Sequence, residues 1–550
     1  MNEDPTSKNW KFELKFPRVT DVPSEFSNPR QITSCQYLIN GDIPRWEGPF
    51  QEIFSPVQLE QQDGIAPYKL GSYPLLDSEE AFHALKSAVK AYNDGRGLWP
   101  SMSTTMRIEY VESFIKRVLK QKHNILALMM WSLGKPLAHA EKEFELALNY
   151  IEDTVRIMKS LINDTSRFFL DDDAMLHIHR YPVGVVLIGV ESSQPLLDLF
   201  MMIIPALILG NSLIIRAPEY GGMIFTPLLN PFRDSFPRGV VNVICGNNDE
   251  VIVPLLNSRR IHSLGFAWHS SVTTRILSRH PAPWNLHSVF RHESKNVALI
   301  LADADVDEAL DDCVQDFLGF SGQYRSTFKI LFVHEKVLQE VQQKLIQKID
   351  NNKIGFPWEP DVNITPLWGD GRVQDLEEMI RDAVEKGASV INPHGGESLH
   401  GFMYPAVVSG ITEKMRMYSE AHKGPVIPII AFEHVETLLQ YVIHAYEIYQ
   451  VSIFGNDSES IANLVDLLLH HVDWININSA GKSQIEDIQF SQKQQIAQKI
   501  HPIVESLNIF SSYSLVTTED LPQNRNILRE IVEDTKSSFI HGDPDKPELL

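Results

Sequence analysis

Cysteine is scarce in this chain: Cys35, Cys245 and Cys313 are the only three in 550 residues. They are far apart and sit in no metal or redox spacing, so a disulfide framework is not expected and a reducing compartment is. Basic residues are short too, 49 against 71 acidic, for a formal net charge of −22. Phosphate and anionic lipid need a basic surface, so nucleic acid and membrane are not expected partners. The start, Met1 to Asn9, carries no apolar core of a signal peptide. The most apolar stretch, Val183 to Ile215, is broken by Gly184, Glu191, Pro195, Asp198, Pro205 and Gly210, which reads as buried strand–helix–strand and not a membrane span. These absences leave a cytoplasmic globular protein, and 43% hydrophobic against 22% charged residues supplies an ordinary core.

The length suits about three or four folding units. The first thirty residues read as an arm or disordered lead. Asp77-Ser78-Glu79-Glu80 caps an amphipathic run through Val89 and Tyr92. Helical patterns follow over Arg107–Leu119, Ile125–Leu133 and, after the break at Gly134-Lys135-Pro136, from Leu137 to about Ile162. Met175 to Tyr181 alternates like an edge or linking strand. Strand and helix signals then alternate: Val183–Gly189, Leu196–Leu209, Ser212–Arg216, Val240–Cys245, Glu250–Leu256. A second series starts at Ala298–Leu301 and continues through Val306, Ile330–Val333, Gln374–Lys386, Ile427–Ile430 and Ile475–Asn478. Such alternation predicts an α/β fold with two parallel sheets, each wound with helices on both faces. There is no internal repeat.

Nine short segments, in order, carry a resemblance. They are Gly134-Lys135-Pro136-Leu137, Tyr181 to Val186, Pro205 to Ser212, Arg238 to Val243, Asp303 to Asp307, Phe320-Ser321-Gly322-Gln323, Ile364-Thr365-Pro366, Gly424 to Pro428 and Ile477 to Ala480. Together, over about residues 35 to 517, they resemble the aldehyde dehydrogenase superfamily, most of all its non-phosphorylating glyceraldehyde-3-phosphate dehydrogenase branch. The resemblance implies two doubly wound domains plus a small oligomerisation strand element, and a homo- or hetero-oligomer. It divides the chain into an arm (1–34), a Rossmann-like cofactor-type domain (35–166 and 184–294), the oligomerisation element (167–183 and 505–518), a catalytic-type domain (295–504) and an acidic tail (519–550).

The family's chemistry needs a thiolate to form a thiohemiacetal and a base to activate water. Where the family has its cysteine, after Gly322-Gln323-Tyr324, this chain has Arg325, which is no nucleophile. Neither the neighbouring Ser326 nor Cys313, twelve residues earlier in a helical pattern, is expected to replace it. Anchoring on Lys295 puts Arg291 at the position of the family's glutamate base, with Glu293 two residues on. Ser193 stands for the oxyanion asparagine, in Glu191-Ser192-Ser193-Gln194-Pro195. For the cofactor, Arg216 replaces the ribose lysine and Glu219 is kept, which would favour NAD over NADP. Trp268 stands where the pyrophosphate turn has glycine, and Ala421 aligns with the nicotinamide-ribose glutamate, with Glu420 beside it and Lys423 in place of phenylalanine. NAD binding is therefore weakened, and no cofactor is assigned.

The expectation is a pseudoenzyme acting through binding or oligomer assembly. The alternative is an NAD(P)-dependent aldehyde oxidoreductase, or an altered activity in the same cleft. Arg291 and Arg325, joined by Arg107, are candidates to hold an anionic small molecule such as a phosphate or carboxylate ester. The competing reading pairs them with local acids such as Glu191 or Glu293. No metal site is expected: His470-His471 reads as a helix end, His394-Gly395-Gly396 lacks a nucleophile elbow, and Gly369-Asp370-Gly371 reads as a turn.

Overall fold

The computed structural model describes residues 14–26, 34–165, 168–171, 174–190, 193–267, 275, 278, 287–290, 294–444, 448–480, 502–534 and 548–549. Arg291, Glu293, Glu191 and Trp268 lie outside these residues.

Two parallel sheets organise the chain. The first has the order Val241–Ile244, Ser212–Arg216, Val185–Val190, Ser263–Ala267, His287–Phe290, all parallel. Its three central strands bury every side chain, as strands covered on both faces must. The second runs Ser389–Val390, Ala406–Ser409, Val426–Phe432, Phe328–His334, Asn296–Ile300, Gln450–Phe454, Trp474–Ile477. It is parallel except where its short first strand meets the next antiparallel. Apolar clusters line both faces of that sheet. The expected α/β class with two wound sheets is thus the observed one.

A third, antiparallel element joins Ser511–Glu519 to Ala174–Pro182 over nine paired positions. Phe168–Asp171 continues it, and Ser511–Glu519 forms its edge. Tyr513, Leu515 and Val516 on that edge strand are exposed.

Helix boundaries follow local chemistry. Asp77 caps Ser78–Tyr92 by accepting from the amides of Glu79 and Glu80, the capping expected from Asp77-Ser78-Glu79-Glu80. Asp305 does the same for Val306–Leu318. Lys122–Leu133 ends on Gly134, whose left-handed backbone (φ 68°) closes the helix. Leu137–Thr165 is a single long helix.

Two features depart from the sequence reading. A long hairpin, Phe50–Gln61 with Gly64–Pro74, stands where no strands were expected. And the leading segment is no free arm where it is described: Phe16 is buried, packed edge-on to Phe356, His400 and Phe402. Among the described residues, no helix is long and apolar enough to cross a membrane.

Candidate active site

The segment Gly319 to Thr327 forms the floor of the site. Phe320, Ser321 and Gly322 take left-handed backbone in succession (φ 49°, 56°, 67°). A Cβ at Gly322 would lie 2.4 Å from the carbonyl oxygen of Gly424, so only glycine lets these chains touch. Strain in a non-glycine run of this kind survives only if neighbours hold it, and they do. The Ser321 hydroxyl donates to the Thr365 carbonyl (2.9 Å) and accepts from the Thr365 amide (2.8 Å). Gln323 accepts from the Trp368 amide. The carbonyls of Tyr324, Arg325 and Ser326 receive Lys329 Nζ (3.1 Å), Ser294 Oγ (3.1 Å) and Asn296 Nδ2 (2.7 Å). The backbone on either side of position 325 is therefore fixed, and with it the direction of that side chain.

Arg325 reaches the buried helix Pro195–Leu209. Its Nη2 lies 2.8 Å from Asp198 Oδ1, with 15% of the arginine side chain and 2% of the aspartate exposed. Asp198 sits in the helix's first turn, where a carboxylate also meets the positive end of the helix dipole. The described acid that pairs with Arg325 is Asp198, while Glu191 and Glu293 lie outside the described residues. A lone aspartate in a fifteen-residue helix buried throughout had to find a cation; that was the signal available in the sequence and not used.

A second charged pair lies beside the first. Lys135 Nζ contacts the Glu143 carboxylate and donates to the Ser193 carbonyl (2.6 Å), with both side chains buried. Its ammonium also sits over the rings of Phe320 (5.0 Å) and Tyr324 (5.2 Å). Burial pulls the lysine's pKa down and Glu143 opposes it. Glu143 accepts from the amides of Leu196 (2.9 Å) and Leu197 (3.3 Å), capping the helix that Gln194 leaves without a side-chain cap. Ser193 takes part through its carbonyl. Tyr324 meets His139 Nδ1 at 3.0 Å. Burial, and then Lys135, push His139 down to about 4. Two cations and two carboxylates, Arg325, Lys135, Asp198 and Glu143, therefore neutralise one another.

Arg107 is not part of an anion site. It is fully buried, and its guanidinium donates to the carbonyls of Ile208 (2.7 Å), Met102 (2.6 Å), Pro100 (3.2 Å) and Trp99 (3.3 Å) and to Thr104 Oγ1 (3.2 Å). An incoming phosphate would compete with these acceptors. Arg107 instead closes the carbonyl end of Pro195–Leu209, where a cation suits the dipole.

The cofactor-side residues are also engaged internally. Arg216 Nε and Nη2 donate to the Gly246 carbonyl (3.3 and 3.1 Å). The Glu219 carboxylate accepts from Gln51 on the unforeseen hairpin. Glu420 turns its carboxylate to Arg416 (2.9–3.1 Å), while its carbonyl takes Lys295 Nζ (2.8 Å). Lys423 Nζ lies 5.4 Å from the Trp368 ring, and Arg372 lies over the same ring at 5.6 Å. Cys313 is buried in its helix, its thiol pushed well up by burial. No group of three or more His, Cys, Asp or Glu among the described residues could hold a metal ion.

Residues 56–491 match the aldehyde dehydrogenase family. Among curated proteins, the NADP-dependent glyceraldehyde-3-phosphate dehydrogenase of Streptococcus equinus is 25% identical over 447 residues, 80% of this chain and 89% of that one. The peroxisomal aminoaldehyde dehydrogenase 2 of Pisum sativum is 23% identical over 455 residues, 81% and 88% of the two chains. Among solved structures, NADP-dependent glyceraldehyde-3-phosphate dehydrogenase from Bacillus halodurans, complexed with NADP, superposes with a TM-score of 0.76 at 21% identity, covering 89% of this chain and 100% of that one. Lactaldehyde dehydrogenase from Escherichia coli gives 0.76 at 18% identity, covering 88% and 99%.

Proposed function

The chain belongs to the aldehyde dehydrogenase family, and from that premise we propose that it is a pseudoenzyme of that family, acting through binding or oligomer assembly. The observation that carries this reading is the Arg325–Asp198 pair. A guanidinium at the nucleophile's position offers no thiolate for the hemiacetal. Its buried partner supports this reading: an aspartate at the start of Pro195–Leu209 suits an arginine opposite it. The relatives' names describe working dehydrogenases acting on aldehydes, so the loss is a property proposed for this chain and not for its family.

The same geometry narrows the anion hypothesis. Arg107 is committed to backbone carbonyls and Arg325 to Asp198. Of the three arginines, Arg291 alone stays open as an anion ligand. NAD would share Glu219 with Gln51, which already donates to one of its carboxylate oxygens. Assembly draws support from the strand Ser511–Glu519, which has no strand neighbour on one edge among the described residues and exposes Tyr513, Leu515 and Val516. An apolar, unpaired edge is a ready docking surface for another chain.

The test is direct. Purified protein is incubated with NAD or NADP and a panel of aldehydes, including phosphorylated ones, and reduced nucleotide is followed by absorbance. No turnover is expected. Turnover abolished by substituting one pocket residue would establish the alternative, an active oxidoreductase. For assembly, Leu515→Asp with Tyr513→Ser should lower the mass measured by light scattering; an unchanged mass removes this strand from the proposal.

A further inference from the structure

The three cysteines are remote in sequence, yet the fold brings two of them together. Cys35 Sγ and Cys245 Sγ are 3.5 Å apart, 210 residues from one another along the chain. Both are free thiols and both are buried. Cys245 follows the strand Val241–Ile244. Cys35 lies on the segment that runs beside that strand: its amide donates to the Ser72 carbonyl (2.7 Å), and Leu38 and Val243 exchange two backbone bonds (2.8 and 2.7 Å). Backbone hydrogen bonds thus fix both cysteines from their own sides. The Cys35 thiol also lies 3.4 Å from the Gly222 carbonyl.

We propose that Cys35 and Cys245 are a covalent modification site: a two-electron oxidant of the peroxide class converts the pair to an intrachain disulfide. One thiolate sulfur attacks a peroxide oxygen; the O–O bond breaks, hydroxide leaves, and that sulfur becomes a sulfenic acid. The second sulfur then attacks it, the S–S bond forms, and the S–O bond breaks. Two thiols and one hydrogen peroxide give one disulfide and two waters. The sulfurs must close from 3.5 Å to about 2.05 Å. Fold and burial fix partner choice: Cys313 is enclosed in a different core, with the second sheet.

The crosslink would tie the leading segment to the edge of the first sheet, beside the Arg216–Gly246–Tyr73 cluster. There Gly246 accepts from Arg216 and donates to the Tyr73 hydroxyl (2.9 Å). Burial raises the Cys245 thiol's pKa, more than Arg216 lowers it. Thiolate is therefore scarce, and oxidation should be slower than for an exposed thiol.

With only three cysteines, the experiment is a thiol count. Full-length reduced protein is exposed to hydrogen peroxide, quenched, unfolded and alkylated, and the peptides are mapped by mass spectrometry. The count should fall from three to one, with Cys35 joined to Cys245 and Cys313 alkylated. The melting temperature of the oxidised protein should rise by a few degrees or more, since the link closes a very long loop of the unfolded chain. Cys35→Ser and Cys245→Ser, each checked for native circular dichroism, should keep both remaining thiols under the same treatment, whereas Cys313→Ser should still form the link. Three surviving thiols in wild type under peroxide that consumes added glutathione would overturn the proposal. So would a link involving Cys313, or higher oxides in place of a disulfide.

Discussion

If Arg325 and Asp198 hold one another, removing either alone must cost more than removing both. At 2.8 Å and an effective dielectric constant near 20, the gross attraction is about 6 kcal/mol. Desolvation offsets much of it, and breaking a buried pair from one side costs about 3–5 kcal/mol. The two sides are not equivalent. The guanidinium is 15% exposed and can turn toward water; the carboxylate is 2% exposed. Its Oδ2 has no hydrogen-bond partner even in the intact protein. Arg325→Met should therefore be the worse single change, with Asp198→Leu milder despite losing a helix-dipole contact of about 0.3–1 kcal/mol. The double variant, apolar on both sides, should return close to wild type. Differential scanning fluorimetry reads this: at about 2–4 °C per kcal/mol for units of this size, Arg325→Met should melt at least about 6 °C lower. Additive single effects, or Asp198→Leu melting below Arg325→Met, would refute the reasoning.

Other consequences follow from the same geometry. Arg107→Met strands the Ile208 carbonyl at the end of a buried helix, three carbonyls between Trp99 and Met102, and the Thr104 hydroxyl. It should destabilise by about 3 kcal/mol or more; a normal melting temperature with specific loss of phosphate-ester binding would restore Arg107 to an anion site. On the proposed reading, which sets Arg291 at the family's base position, Arg325→Cys alone should yield a thiol but no aldehyde turnover; burst formation of reduced nucleotide would overturn that reading. Burial, and then Lys329, bring Lys295 down to about 7 from 10.5. Between those values the unfolded chain holds a proton that the folded chain does not, so this group makes stability rise with pH from about 7 to 10.5 and adds no slope below 7. Relative to Lys295→Met, wild type should gain melting temperature between pH 6.5 and 9; parallel curves would argue against the shift.

Much of the architecture was legible along the chain. Strand and helix signals alternated, Asp77 announced a cap, and apolar runs such as Val183–Gly189 read as strands. The hairpin Phe50–Gln61 with Gly64–Pro74 was not legible. Its first strand leaves Phe50 and Phe54 exposed, and its pairing carries register shifts at Ile53, Phe54 and Gln58 that blur the alternation. The phrase Phe320-Ser321-Gly322-Gln323 marked the floor of the site. Thr365 and Trp368 hold the Ser321 and Gln323 side chains, and Ser294, Asn296 and Lys329 hold the carbonyls of residues 324–326; no spacing rule connects them to the phrase.

The identity of the residue at position 325 was a matter of sequence: an arginine is no nucleophile in any fold. What that arginine does was not. Its partner lies 127 residues away, and Arg107, which looked equally available to an anion, is spent on carbonyls at the far end of the same helix. Local order dictates periodicity, caps and chemical type, because these depend on neighbours a few bonds away. Charge compensation, and the meeting of Cys35 with Cys245, depend on which surfaces face one another after the sheets close, and only the tertiary structure decides that.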